Sequence, residues 1–431
     1  MKILIVSHTP LSSYEAMGKT ISAFFSSFDK EEVSQLYIYP SYPDVDVCHS
    51  YYRVTDIDVL KGYFNFNLYG GVVEPKRQSS KVSIYDDDQT EEIYKNQRNK
   101  KAFIKLLRDA MWKFSRWYNR NLKKWLDYVN PDCIFLCPGG AKFIYDMALK
   151  ISRKRNIPII TYIADEHYFL DARKYSLEWV KQKLLCRTMK KTFEASSCLI
   201  TICDELRDVY VKEFHRETHT IMTGSSIEIT NEKKSWSEIH KVSYFGKMSL
   251  DRYVSLSDIG KEVDKVNEFG DGKITLNIFS GQISEKVIRT LGEYQSVVLR
   301  EFIGGEKFKK EFESSDMLIH VESFEHENVN KVRYSVSTKI ADSLASGIPL
   351  LAYGPKGIAS IEHLIRNNCA LVASSRSELE NLVEKIAKNE INYIEVQKNA
   401  IETAKRFHDQ KKNSSFFREV CNKTIEIAGC K

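Results

Sequence analysis

The segment from Ser337 to Pro355, STKIADSLASGIPLLAYGP, restricts the fold more than any other part of the chain. Its apolar residues Ile340, Leu344 and Ala345 return at helical spacing. Ser337 and Thr338 stand before them as hydroxyl caps for the first free backbone N–H groups. Gly347 falls where a helix leaves through a left-handed residue, and Pro349 forbids its continuation. Leu350 to Tyr353 then reads as a short buried strand, closed by Gly354 and Pro355. The first turns carry Ser337, Thr338, Lys339 and Asp342. Such a helix start suits a nucleotide: it offers donors and positive potential to phosphate, and a carboxylate to ribose hydroxyls.

The first half of the chain repeats this alternation. Residues 2–7 read as a buried strand, followed by a loop and a helix from about Gly18 to Phe28, the opening of a doubly wound α/β domain. Gly18-Lys19-Thr20 is not a phosphate-binding P-loop, because Ser13 occupies the position of the other required glycine. Gly18 is a candidate either for ligand contact or for close helix–strand packing. Residues 33–39 form a second strand candidate. Residues 41–90 look irregular and tyrosine-rich, and Asp86-Asp87-Asp88 reads as a solvated acidic loop.

Residues 93–128 read as one long helix with Phe103, Leu107, Met111, Phe114, Trp117 or Tyr118, Leu122 and Trp125 on an apolar face. That face is expected to pack on the sheet. The opposite side is strongly basic, and cations beside aromatic residues also fit peripheral contact with an anionic membrane. Strands are expected at 132–137, 159–164, 198–203 and 218–222, with helices at 141–154, 175–195 and 204–214. Gly139, Gly140, Asp165 and His167 follow strand ends, where α/β proteins place ligands. Asp165 and His167 are the candidates for accepting an acceptor-hydroxyl proton or bracing a sugar.

A chain of 431 residues favours two domains. The polar stretch 224–240 is the expected linker. Beyond it lie strands at 274–279, 297–303 and 317–322, a longer loop at 323–336, and, after Pro355, a helix at 358–367, a strand at 370–373 and helices at 376–388 and 391–407. An amphipathic segment, 408–428, ends the chain. The formal charge of +6 is compatible with anionic ligands but diagnostic of none. Nine cysteines, an odd number with no CxxC pair, read as reduced thiols of a cytoplasmic protein. No apolar stretch reaches transmembrane length.

Val242 to Gly246 opens the second alternating half, and Lys247 and Arg252 follow five residues apart. With the Asp342, Gly347 and Pro349 spacing, this resembles the retaining GT-B glycosyltransferases of the large family 4 group, with Lys and Arg exchanged. The resemblance implies two Rossmann-like doubly wound domains facing a cleft. The N-terminal acceptor-binding domain would span 1–230, with an insertion at about 41–92. A nucleotide-sugar domain would span 231–407, and a final helix, 408–431, would cross back to the first domain.

The implied reaction is metal-independent transfer from a UDP- or GDP-sugar to an acceptor hydroxyl. Its setting would be bacterial surface polysaccharide or glycoconjugate assembly, at the inner face of the membrane, with a glycan or lipid-linked acceptor. No other cofactor and no nucleic acid is implied. Lys247 and Arg252 would hold the diphosphate with Gly246, Ser337, Thr338 and Lys339; Gly304 would lie by the base and Asp342 by the ribose. The family's first glutamate is displaced: Tyr334 stands eight residues before Asp342, so Glu322, Glu325 or Glu327 would grip the sugar. A sugar-nucleotide epimerase and a silent partner subunit share this plan.

Overall fold

The computed structural model describes residues 1–13, 16–64, 70–76, 102–170, 174–230, 238–269, 273–281 and 283–430. They divide into two compact units, one of residues 1–222 with 410–431, the other of residues 223–409.

The first unit is built on an eight-stranded sheet. In chain order its elements are β1 (Ile3–Ser7), α1 (Ala16–Phe24), β2 (Val33–Tyr37), β3 (Ser50–Arg53), α2 (Asp56–Phe64), β4 (Gly71–Val73), α3 (Ala102–Phe114) and α4 (Arg120–Val129). There follow β5 (Cys133–Cys137), α5 (Lys142–Arg155), β6 (Ile159–Ile163), α6 (Leu177–Ala195), β7 (Cys198–Thr201), α7 (Asp204–Phe214) and β8 (Thr218–Thr220). The strand order is β4-β3-β2-β1-β5-β6-β7-β8, parallel except for β4 against β3. Runs such as Cys133-Ile-Phe-Leu-Cys137 are buried along their whole length, as strands covered on both faces must be.

The second unit has β9 (Lys241–Phe245), α8 (Arg252–Phe269), β10 (Thr275–Ser280), α9 (Glu285–Leu291), β11 (Val297–Glu301), α10 (Gly305–Glu313), β12 (Met317–Val321) and α11 (His326–Val332). It continues with α12 (Thr338–Ser346), β13 (Leu350–Tyr353), α13 (Ala359–Arg366), β14 (Leu371–Ala373), α14 (Arg376–Ala387) and α15 (Tyr393–Thr403). Its parallel sheet runs β11-β10-β9-β12-β13-β14. The final helix, α16 (Gln410–Gly429), belongs to the first unit. Its Phe417 ring packs 5.1, 5.3 and 5.0 Å from those of Phe24, Phe25 and Phe135. Ser414 Oγ lies 2.8 Å from the Phe24 carbonyl, and Arg418 Nη1 reaches Glu32 at 3.0 Å.

Several elements depart from the sequence reading. The stretch read as irregular carries regular elements: β3 and β4 extend the main sheet, and α2 follows β3 in the chain. Asp86-Asp87-Asp88 and residues 93–101 lie outside the described residues. The rest of the expected long helix breaks between Phe114 and Arg120, where the Asn119 side chain caps Leu122 N at 3.0 Å and starts α4. Phe103, Leu107 and Phe114 face outward rather than onto the sheet, at 55, 53 and 72 % exposure. The reason is Asp56, a buried carboxylate that takes Arg108 Nε at 2.9 Å and Trp112 Nε1 at 2.6 Å. Satisfying it fixes the rotation of α3 and buries Trp112 instead.

In the second unit, the expected loop 323–336 contains α11. The stretch 391–407 ends its α-helix at Thr403 and closes with a single π-turn, Ala404–His408. Gly347 does end α12 in the left-handed region, with φ 68°. Ser337 occupies the helix N-cap, but its side chain makes no capping bond; its N–H donates to Ser360 Oγ at 3.1 Å.

Candidate active site

In an open parallel sheet, ligands bind beyond the strand carboxyl ends where the direction of winding reverses. In the second unit that point lies between β9 and β12, the neighbours from which the chain winds outward in both directions. The two loops leaving it carry Gly246 and Lys247 after β9, and Glu322 after β12.

Five side chains gather there: Arg252, Glu322, His320, Lys339 and Lys247. Arg252, the first residue of α8, donates from Nε at 3.1 Å and from Nη2 at 2.8 Å to one oxygen of Glu322. Glu322 is only 3 % exposed, and its other oxygen lies 3.4 Å from His320 Nε2. Burial pushes the Glu322 carboxyl up, but His320 and Arg252 more than offset this and leave it below its ordinary value.

Lys339, in the first turn of α12, stands with Nζ 5.4 Å from the centre of the Tyr244 ring. A Cβ on Gly246 would collide with that ammonium and come within 2.7 Å of the Tyr244 hydroxyl, so only glycine lets the lysine approach. Lys339 keeps solvent access, yet sits in a recess with enough protein around it to lower its pKa to about 8. Desolvation is the main cause, Arg252 and Lys247 add to it, and Glu322 opposes it. Lys247 is exposed, and its carbonyl accepts from the Tyr244 hydroxyl at 2.8 Å.

The turn that aims Arg252 is strained. Leu250 and Asp251 both adopt positive φ, 60° and 54°, a conformation costly for side chains other than glycine. Asn328, buried on α11, holds Asp251 Oδ2 at 2.9 Å and lies 3.3 Å from Ser323 Oγ. Neither the strained pair nor Asn328 was evident from sequence. His320, two residues from Glu322 and on the same face of β12, was legible only as part of an apolar run.

The other expected site residues have surroundings of their own. The Asp342 carboxylate is turned to the segment after the first unit: it accepts from Ser226 N at 2.6 Å, Ser226 Oγ at 2.8 Å and Ser225 Oγ at 3.1 Å. This braces the residues that were expected to be linker. Gly304 caps α10 two strands away, beyond β11, and is exposed. Glu325 and Glu327 are exposed on and before α11. Ser337 and Thr338 are half-buried at the start of α12.

In the first unit the winding reverses between β1 and β5. The loop after β1 is fixed by buried Gln35, whose Nε2 donates to Ser7 Oγ at 2.8 Å and whose Oε1 accepts from Leu11 N at 3.1 Å. A Cβ on Gly18 would come within 2.8 Å of Pro10 O and Ser12, so this glycine is required by packing on that loop. His8, beside the Asp56–Arg108 pair, has its pKa lowered to about 4, chiefly by burial and then by Arg108.

The His167 ring lies within 3.6 Å of where a Gly140 Cβ would be, and burial also lowers its pKa. Asp165 is exposed beside it and raises that pKa, against Lys181. Glu166 between them is turned inward, accepting from Phe169 N at 2.7 Å. Asp109, on α3, is raised to about 6 by burial, an effect that Lys142 and Arg108 reduce.

No family model matches the sequence, and no curated protein matches it. Solved structures do. Sucrose-phosphate synthase from Thermosynechococcus elongatus has a TM-score of 0.60 at 9 % identity, covering 99 % of this chain and 100 % of that one. Anabaena HepE in complex with UDP and glucose has a TM-score of 0.61 at 11 % identity, covering 98 and 100 %. The α,α-trehalose 6-phosphate synthase of Burkholderia multivorans has a TM-score of 0.56 at 10 % identity, covering 100 and 97 %. At these identities the likeness is one of fold, and it runs the length of both chains: this protein has the GT-B glycosyltransferase fold.

Proposed function

We propose that the protein transfers a sugar from a nucleotide sugar to an acceptor hydroxyl. The observation that carries this reading is the meeting of Arg252 and Lys339 with the Glu322 carboxylate at the reversal point of the second sheet, with Lys247 near Lys339. Three cations against Glu322 leave a net positive recess that suits a nucleoside diphosphate. As the bond from the anomeric carbon to the diphosphate oxygen breaks, negative charge grows on the leaving group. Side-chain ammonium and guanidinium groups already in place stabilise it without reorganising. In this reading no metal is called for, and the nucleotide sugar is a substrate, not a resident cofactor. That one fold neighbour holds UDP and glucose supports a UDP-sugar as the first donor to try.

The acceptor is assigned to the first unit. His167, kept neutral at pH 7 by burial, can take the proton that the acceptor hydroxyl loses as the new glycosidic bond forms. The outward stripe Phe103, Leu107 and Phe114, flanked by Lys105 and Lys113, supports contact with an anionic lipid surface carrying a lipid-linked acceptor. Among the described residues no helix is long and apolar enough to cross a membrane. We place the reaction in surface glycan assembly at the inner membrane face.

A thermal-shift panel of UDP-, GDP-, ADP- and TDP-sugars tests the donor half. One base is expected to raise the melting temperature in proportion to ligand excess; no shift with any of them overturns the proposal. Release of a new nucleotide sugar without acceptor would replace transfer by epimerisation.

A further inference from the structure

Glu322 was one of three glutamates, with Glu325 and Glu327, expected to supply the contact to the transferred sugar. Its surroundings argue for another task. The residue is buried and its backbone is fixed: Ser255 Oγ donates to its main-chain carbonyl at 2.7 Å, and its own N–H donates to Tyr353 O at 3.0 Å. A Cβ on Gly354 would lie 3.0 Å from the Glu322 Cβ. Both carboxylate oxygens face protein, one toward Arg252 and the other toward His320. A sugar hydroxyl would have to displace a charge-assisted bond to reach either of them.

We infer that Glu322 is a positioning residue: it holds the Arg252 guanidinium in one orientation so that its remaining edge meets the donor diphosphate. The two bonds use Nε and Nη2 and leave Nη1 for a phosphate oxygen. A planar fork fixed at one edge loses little freedom when the other edge binds. Glu322 also cancels one of three crowded positive charges, which lets Arg252, Lys247 and Lys339 share the recess before the anion arrives. His320, behind the carboxylate, keeps it ionised. Asp251 and Asn328 fix the other side of the same turn, so the guanidinium is held through both its backbone and its tip.

The inference rests on the proposed donor site, and the test separates the two. Calorimetric titration of the full chain with UDP and with UDP-glucose is compared for wild type, Glu322→Ala, Arg252→Ala and the double variant. Absence of wild-type binding to either ligand overturns both the donor site and this role. If wild type binds, Glu322→Ala is expected to weaken UDP and UDP-glucose equally, about tenfold. In the Arg252→Ala background the sign reverses: there Glu322 is an uncompensated negative charge beside a diphosphate, and its removal tightens binding.

A sugar-gripping Glu322 would instead lose UDP-glucose affinity alone, and by the same factor in both backgrounds. A purely structural Glu322 would lower the melting temperature with both affinities unchanged. Either result overturns the inference. Glu322→Gln, which keeps volume and an acceptor for Arg252, provides the measurement if the alanine variant does not fold, and is expected to lose less UDP affinity than alanine would.

Discussion

Nε2 of His363 lies 3.1 Å from Nε2 of His408 in the interior of the second unit. His408 Nδ1 stands 2.9 Å from the Thr223 carbonyl, which can only accept, so His408 carries its proton there. Its Nε2 therefore accepts, and His363 donates. Asn367 Nδ2, 3.4 Å from His363 Nδ1, completes the chain. Only neutral rings satisfy this arrangement, and burial lowers the two pKa values to about 3 and about 4.

The unfolded chain binds protons at both histidines below about 6.5, while the folded unit does not. Stability therefore falls as pH drops from about 6.5 toward 4, by about 2 kcal/mol per histidine at pH 5. Thermal unfolding from pH 7.5 to 4.5 should show the decline, and His363→Leu should remove about half of it. A midpoint independent of pH across that range would contradict the assignment.

Arg252→Ala is expected to lower kcat on the order of a hundredfold, the usual loss for one preorganised charge at a developing anion. The same change strands Glu322 in the interior and should cost about 3 kcal/mol of stability, the lower end for breaking a buried pair. Steady-state rates and urea unfolding measure the two effects separately. Arg252→Lys should recover part of the stability but not the directed edge of the guanidinium.

Lys339 gives the donor site its own pH signature. Its pKa of about 8 lies below that of a free lysine, so above pH 8 the empty site carries less positive charge. A diphosphate favours the ammonium form. Nucleotide affinity should fall as pH rises from 8 to 10, and binding at pH 8.5 should take up a fraction of a proton. Calorimetry in buffers of different ionisation enthalpy detects that uptake, and Lys339→Met should abolish it.

Phe417 is completely buried among four other aromatic rings, Phe24, Phe25, Phe28 and Phe135. Phe417→Ala should destabilise the first unit by about 3–5 kcal/mol, the range for deleting a core aromatic. Chemical denaturation should resolve this as an earlier transition of that unit, with nucleotide binding by the second unit preserved at low denaturant.

Much of the architecture was legible because buried parallel strands announce themselves. Cys133–Cys137, Ile159–Ile163 and Met317–Val321 are predominantly apolar runs, broken only by Thr161 and His320, and each forms a strand where the pattern puts it. Gly347 was legible for a different reason: a helix that leaves through the left-handed region favours glycine there. What escaped was set by tertiary contacts. The periodicity of 102–114 identified a helix but not which side faces the protein, since Asp56 decides that from a distant segment.

In the site, Lys247 and Arg252 could be named from the family resemblance and Lys339 from its place on the first turn of a helix. The pairing of Arg252 with Glu322 spans seventy positions and leaves no local trace. Asp342 matched a family position, yet its carboxylate is turned to serines whose approach no pattern encodes.

The return of α16 to the first unit also orders events during synthesis. Phe24, Phe25 and Phe135 emerge from the ribosome long before Phe417, so their cluster stays open until the final twenty or so residues are released. The second unit, contiguous in the chain, can finish folding first. A chain truncated after Asp409 and released should thus display a folded second unit beside an amino-terminal body that still offers its aromatic seam to chaperones.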